Sequence, residues 1–277
     1  MQNASFIYRA PSPPPATNDI FFESVVKLYC ARLHIEQVSK IWERTIQKHA
    51  DAVADVKLRP EDGSFDPLRP RPTYLLPLMM GNAIRNLRST LDYLVSALAR
   101  EAGLSDAQTI FPFADKRTGI QSSFNEPLPG DKARKGRKAG ALYEVSRRYP
   151  DLETVILDRV QPYSADDGAG PGGDLIWRLV TSDNIDKHRL MTTIIHHTHI
   201  GHIAFGKGSE ISGIETIGPV LRLGPDTEFQ GQPQLAFDIL FAEPARLANR
   251  PVVSTLVEAS NIISQTIETF EAYFKRG

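Results

Sequence analysis

LLPLMMGNAIRNLRSTLDYLVSALAREA, Leu75 to Ala102, is the stretch on which the fold turns. Ile84, Leu87, Leu91, Leu94 and Leu98 recur at three- and four-residue intervals, which puts them on one side of a 3.6-residue helix. Arg85, Ser89, Asp92 and Ser96 gather on another side, and Arg88 falls on the border. A guanidinium half shielded from water needs an anion, either a protein carboxylate or a bound phosphate, because an unpaired charge in such a place costs several kcal/mol. The spacing therefore predicts a central helix with a polar site beside its apolar side.

Upstream, Phe21, Val25, Leu28, Leu33, Ile35, Val38, Ile41, Trp42 and Ile46 return to one broad face, predicting a first helix from Asn18 to about Lys57 with Thr17 or Asn18 as its cap. Between Arg59 and Pro72, Pro60, Gly63, Pro67, Pro70 and Pro72 leave room only for a connection, and Pro77 suits the first turn of the next helix. Two long helices so joined read as an antiparallel hairpin. Ahead of them, residues 1–17 hold a short strand-like run, Phe6 to Arg9, and then Pro11, Pro13, Pro14 and Pro15, an extended arm.

Downstream, Gly103 is placed as a helix stop, and IFPFAD (Ile110 to Asp115) reads as a short apolar plug. A short helix is expected around Leu152 to Val160. The glycine-rich SADDGAGPGGD that follows lacks a Gly-Lys-Ser/Thr ending and reads as a plain loop. Asp174 is expected to cap a further helix, LIWRLVTSDNIDKHRL, on which Leu175, Leu179, Ser182 and Asp186 share one face. A carboxylate on an apolar face needs a cation, and Arg88 or Arg85 of the central helix are the candidates. Past Met191, Thr, Ile and Val become frequent, and strands are expected near 192–206, 210–222 and 234–241. A helix from Pro251 to Lys275 closes the chain with a stripe of Leu256, Ile263, Ile267, Phe270 and Phe274.

The fold class that follows is α+β: a mainly helical bundle with a small antiparallel sheet. Residues 1–17 form an arm and 18–277 one domain. That domain divides into a helical core at 18–190, a sheet at 191–241 and a returning helix at 250–276.

A net charge of -1 and a pI near 6.7 make no chain-wide case for nucleic acid or membrane. Local charge does. Between Lys116 and Arg148 nine basic residues face three acidic ones, a local +6 in a chain otherwise -7. Lys132, Arg134, Lys135, Arg137 and Lys138 lie at its centre, between glycines and without apolar periodicity. Two readings stand side by side: a solvated surface loop, and a flexible basic flap that attracts phosphate. The single cysteine, Cys30, and the absence of a basic-then-apolar leader or an apolar run of about 18 residues lead us to expect a cytoplasmic protein with no membrane partner.

Of the chemistry-bearing patterns, HHTHIGH puts His197 and His199 on one side of a strand and His196 and His202 on the other, so a metal site would need a further acidic ligand; the plainer reading is a polar sheet face. No GxSxG elbow is present, and Cys30 lacks a basic cluster that would make a thiolate. The reading calls for no cofactor.

Asn86 to Asp92 (NLRSTLD) and Asp183 to Arg189 (DNIDKHR) carry a resemblance. The pair resembles uncharacterised bacterial proteins with an Arg-Ser-x-Leu-Asp helix followed about a hundred residues later by Asn-x-Asp-Lys-His-Arg. More distantly it is similar to HEPN-like helical domains, many of which are metal-independent ribonucleases in toxin or phage-defence systems. The resemblance implies a helical core that binds RNA or a nucleotide. HEPN ribonucleases set an Arg and a His four to six residues apart on one helix; counted from Arg88 that position is Tyr93, whose phenol is a poor base near neutrality with a pKa of about 10. Arg44 with His49 has the spacing by chance, and Arg189 with His196 is one residue outside it. The proton handler implied is instead His188, with Arg88 and Arg189 on phosphate, Asp92 or Asp186 orienting them, and Arg85 and Lys187 as further phosphate contacts. The alternative is a non-catalytic interaction module, a homodimer through its helices, in which Arg88, Asp92, Asp186 and Arg189 form a structural ion-pair network.

Overall fold

The computed structural model describes residues 8–14, 19–55, 75–104, 110–126, 141–189, 194–205, 210–217, 229–242 and 246–274; side chains are described for these except at 47–55, 141, 184–189, 194–205, 210–217 and 229–237. The molecule is mainly helical. Helix α1 spans Phe22–Asp55 and α2 spans Leu75–Glu101, and they form the most extensive helix pair. Arg100 near the end of α2 meets Glu23 at the start of α1 at 2.6 Å, which makes the pair an antiparallel hairpin. That contact is exposed, worth about 0–1 kcal/mol, so the hairpin is held by its apolar seam rather than by the ion pair.

The seam follows the expected spacing with one exception. Phe21, Leu28, Ile35, Val38 and Trp42 are buried, as are Ile84, Leu87, Leu91, Leu94 and Leu98 across from them. Leu33, expected on the same face, is 37% exposed, because two residues of helix turn it about 200° from Ile35. The lead-in is also tied differently: Asp19 Oδ1 accepts from Phe21 N at 2.8 Å, while Thr17 and Asn18 lie outside the described residues. At the far end Gly103 ends α2 at φ 73°, with Leu104 N donating to Ala99 O and Gly103 N to Arg100 O, the paired bonds of a Schellman cap.

Shorter pieces follow: α3 (Arg117–Gln121) with a 3-10 turn at Ser122–Phe124, α4 (Ala141–Arg148), and α5 (Leu152–Thr154) running into a π-helical turn at Val155–Val160. The basic segment from 116 to 148 is thus helical at both ends rather than loop throughout, and its centre lies outside the described residues. Arg117 in particular is pinned: Nη2 meets Asp158 at 2.6 Å and Nη1 donates to Leu157 O at 2.8 Å.

Helix α6 (Pro171–Arg189) begins four residues earlier than expected. Pro171 opens its first turn, where a missing N–H costs nothing, and the glycine-rich stretch thereby passes into helix. Asp174 is inside that turn, its Oδ1 accepting from Ala165 N at 2.9 Å and its Oδ2 from Arg178 Nε at 2.6 Å. Glycine is required at 173, because a Cβ there would stand 2.0 Å from Gln161 O.

Backbone pairing places β1 (Ile194–Phe205) between β2 (Glu210–Ile217) and β3 (Phe229–Phe241), antiparallel to both. The β1–β2 register runs unbroken from His197 opposite Ile217 to Ala204 opposite Glu210, whereas the β1–β3 register shifts around His202. Helix α7 (Val252–Phe274) then returns to α1, α2 and α6, burying Leu256, Ile263, Ile267 and Phe270. Phe270 meets Phe21 edge-on at 6.1 Å between ring centres and Phe111 at 6.3 Å. Among the described residues no helix is long and apolar enough to cross a membrane.

Candidate functional site

Arg88 sits deeper than a border position would. It is 7% exposed, buried like Ile84, Leu87 and Leu91 of the same helix. Its Nε donates to Asp92 Oδ2 at 3.1 Å, one turn on. The order Arg then Asp at i,i+4 is the less favourable one on an isolated helix, so helix propensity alone does not explain the pair. Asp92, 29% exposed at its side chain, also binds on its other oxygen: Oδ1 accepts from Phe111 N at 2.9 Å. One carboxylate thus links α2 to the segment after it.

That link explains why the apolar plug lies where it does. Phe111 is buried in the core against Phe270, and Phe113, two residues on, slides its ring under the guanidinium with 4.5 Å from Arg88 Cζ to the ring centre. A cation over an aromatic face contributes about 0.5–2 kcal/mol depending on desolvation. Against that stands Arg88 Nη1, buried and without a hydrogen-bond partner among the described residues. An unsatisfied buried donor costs about 1–3 kcal/mol, more on a charged group. The two effects roughly cancel, which leaves a cation fixed in place with a donor to spare.

Helix α6, which packs on α2, carries the second motif. Ser182 and Asp183 are both buried, and Ser182 Oγ donates back to Arg178 O at 2.7 Å. By helical spacing Asp186 and Arg189 return to the line of Leu175, Leu179 and Ser182, while His188 falls about 120° round from Ser182. The side chains of Asp186, Lys187, His188 and Arg189 lie outside the described residues, as do Lys132, Arg134, Lys135, Arg137 and Lys138 and the histidines at 196, 197, 199 and 202. Arg85 is exposed and is not drawn in with Arg88. Tyr93, at the place where a HEPN histidine would stand, is taken up elsewhere: Lys27 Nζ of α1 lies 5.8 Å from its ring centre.

Sequence reasoning missed Phe113 and Asp183. A phenylalanine in a proline-broken run gives no sign of standing under an arginine 25 positions earlier. Asp183 did give one: it lies four residues after Leu179 and eight after Leu175, on a buried line. Among the described residues no group of three or more His, Cys, Asp or Glu is arranged to hold a metal. A separate cluster sits at the other side of α6, where buried Trp177 donates from Nε1 to Asp115 at 3.1 Å and lies under Arg246, 4.2 Å from its ring centre. Arg246 Nη2 also lies 3.8 Å from Asp115 Oδ1, so cation and carboxylate are matched within the cluster.

Compared with family models, curated proteins and solved structures, the chain matches none.

Proposed function

We propose that the protein is HEPN-like and binds RNA or a nucleotide through a phosphate held at Arg88, as a cytoplasmic homodimer of mainly helical subunits. The observation that carries this reading is the spare donor of Arg88: Nη1 is buried without a hydrogen-bond partner among the described residues, on a guanidinium whose face and Nε are already fixed by Phe113 and Asp92. A phosphate oxygen would supply the missing acceptor on a guanidinium already paired once with Asp92, and charge-assisted bonds of that kind are among the strong ones. Arg rather than Lys suits the place, because a planar guanidinium can stack and donate at once.

The reaction such a site would run is metal-independent RNA cleavage of the toxin or phage-defence type. His188 takes the proton of the ribose 2′-hydroxyl as that oxygen bonds to phosphorus and the 5′-oxygen leaves with a proton from water, Arg88 and Arg189 hold the phosphate, and Asp92 or Asp186 orients them. Arg85, Lys187 and the basic residues 132–138 add attraction at longer range. Protein purified at low salt should carry nucleic acid, seen as raised absorbance at 260 nm that is lost on washing at high salt, because phosphate contacts release counterions. Clean protein at both salts would count against binding. A His188→Ala variant that cleaves RNA as fast as the parent would remove the catalytic half while leaving the binding half standing.

A second reading has its own observation. Asp92 is bound on both oxygens, and one bond reaches Phe111 in the next segment, as in an ion pair whose role is to fix packing. On that reading the protein is a non-catalytic interaction module, and removing Arg88 lowers stability without removing any ligand.

A further inference from the structure

Strand β1 carries the histidines of HHTHIGH, and the registers on its two sides decide which residues share a face with them. From His197 to Ile200 both registers run without a shift, so the faces alternate residue by residue there. His197 and His199 fall on one face. Glu215 of β2 stands directly opposite His199, and Asp238 of β3 directly opposite His197, so two carboxylates join two histidines on that face. The alternate face has His196 opposite Ile239 and Ile194 opposite Phe241, and both Ile239 and Phe241 are buried in the core. Strand pairing thus supplies what the histidine run lacked in the sequence, acidic residues on the same side.

The spacing suits a single ion. Residues directly opposite on neighbouring strands begin about 4.5–5.5 Å apart at Cβ, and residues i and i+2 along one strand about 7 Å apart. Two imidazoles and a carboxylate are a donor set for divalent transition metals such as zinc, whereas magnesium and calcium take oxygen donors. Beside the set the sheet is bare. Gly201 comes two residues after His199 and Gly213 two residues before Glu215, and the flanking pairs Ile200 opposite Ile214 and His202 opposite Ser212 bring the two glycines together. Glycines inside strands mark places where something else comes close to the sheet.

We propose that His197, His199 and Glu215 hold one divalent transition-metal ion of the zinc class, with Asp238 across from His197 as the outer carboxylate that orients its ring. Three protein ligands leave a position for water or a small anion above Gly201 and Gly213, the ligand count of reactive rather than purely structural zinc sites. Asp238 already accepts from Ile239 N through Oδ1 at 2.7 Å, which suits an orienting role better than a ligand's. The inference stands apart from the reading of Arg88, and either can fail without the other.

The probe is zinc ion, titrated by calorimetry into the untagged full chain after chelator treatment. We expect one zinc per chain, bound at micromolar affinity or tighter, and a higher melting temperature with zinc than without. His197→Ala, His199→Ala and Glu215→Gln should each weaken binding at least about hundredfold, and Asp238→Asn about tenfold or more. His202→Ala, on the alternate face by its register with β2, should bind as the parent does. A parent that binds no zinc overturns the proposal, and so does equal affinity in the parent, His199→Ala and Glu215→Gln. A loss in His202→Ala as large as that in His199→Ala overturns it too, by assigning the ion to histidines at large. Cobalt(II) gives a reading that needs no variant to fold: visible bands of a four- or five-coordinate ion on the parent chain are expected, and the weak band of the six-coordinate hydrated ion alone would contradict the site.

Discussion

Arg88 carries two opposed contributions in one side chain. Stacking on Phe113 and bonding to Asp92 stabilise the fold, and the unsatisfied Nη1 destabilises it by a similar amount. Arg88→Met keeps the stem and removes both. The melting temperature should therefore move by no more than a few degrees, since each kcal/mol is worth about 2–4 °C in a chain of this size. A structural ion pair would behave otherwise, losing about 3–5 kcal/mol if Asp92 were left buried and unpaired, discounted here because Asp92 is partly exposed and keeps Phe111 N. Phe113→Leu should weaken any phosphate ligand several-fold by freeing the guanidinium, with little change in melting; isothermal titration with a mononucleotide reads it. At this scale the sequence was legible in part. An arginine between an apolar and a polar face announced itself by spacing, but the ring beneath it and the carboxylate's second bond depend on where residues 110–114 return, which no local pattern encodes.

Among the elements, the long helices were the most legible because their apolar residues repeat with helical period over many turns. α2 ends at Gly103 and α7 buries the expected stripe through Phe270. Phe270 touches both Phe21 and Phe111, so Phe270→Ala should cost about 3–5 kcal/mol, a fall on the order of 10 °C in melting by circular dichroism. The start of α6 was less legible. Glycines read as loop signals, yet Gly172 and Gly173 lie in the first turn because the helix packs against the left-handed corner at Gln161, φ 55°. Gly173→Ala would drive a methyl group into Gln161 O and should cost about 1–3 kcal/mol by the same measurement, even though alanine is the better helix former.

At the scale of the whole molecule, pH dependence reports on how the arm and α1 are held together. Burial lowers the pKa of His34, so the unfolded chain takes up its proton first and stability falls as the pH drops through about 6.5. Glu36 is depressed by Lys40 and then by the Ala10 N–H; its contribution is present above about 4.5 and is lost as the pH falls through its lower folded value. Melting should thus decline in two windows, the upper one flattened in His34→Gln and the lower one in Glu36→Gln. The overall helical plan could be read from periodicity, whereas the seating of a proline-rich arm on α1 could not, since extended segments carry no repeat that names their partner. If Arg88 is held ready for a phosphate, as proposed, its loss must weaken RNA binding without loosening the fold. Anisotropy of a labelled single-stranded RNA, titrated with the parent and with Arg88→Met at low and at high salt, reads this. We expect binding by the parent that weakens steeply with salt and an affinity at least tenfold lower for the variant at unchanged melting temperature; equal affinities for the two folded proteins would contradict the account.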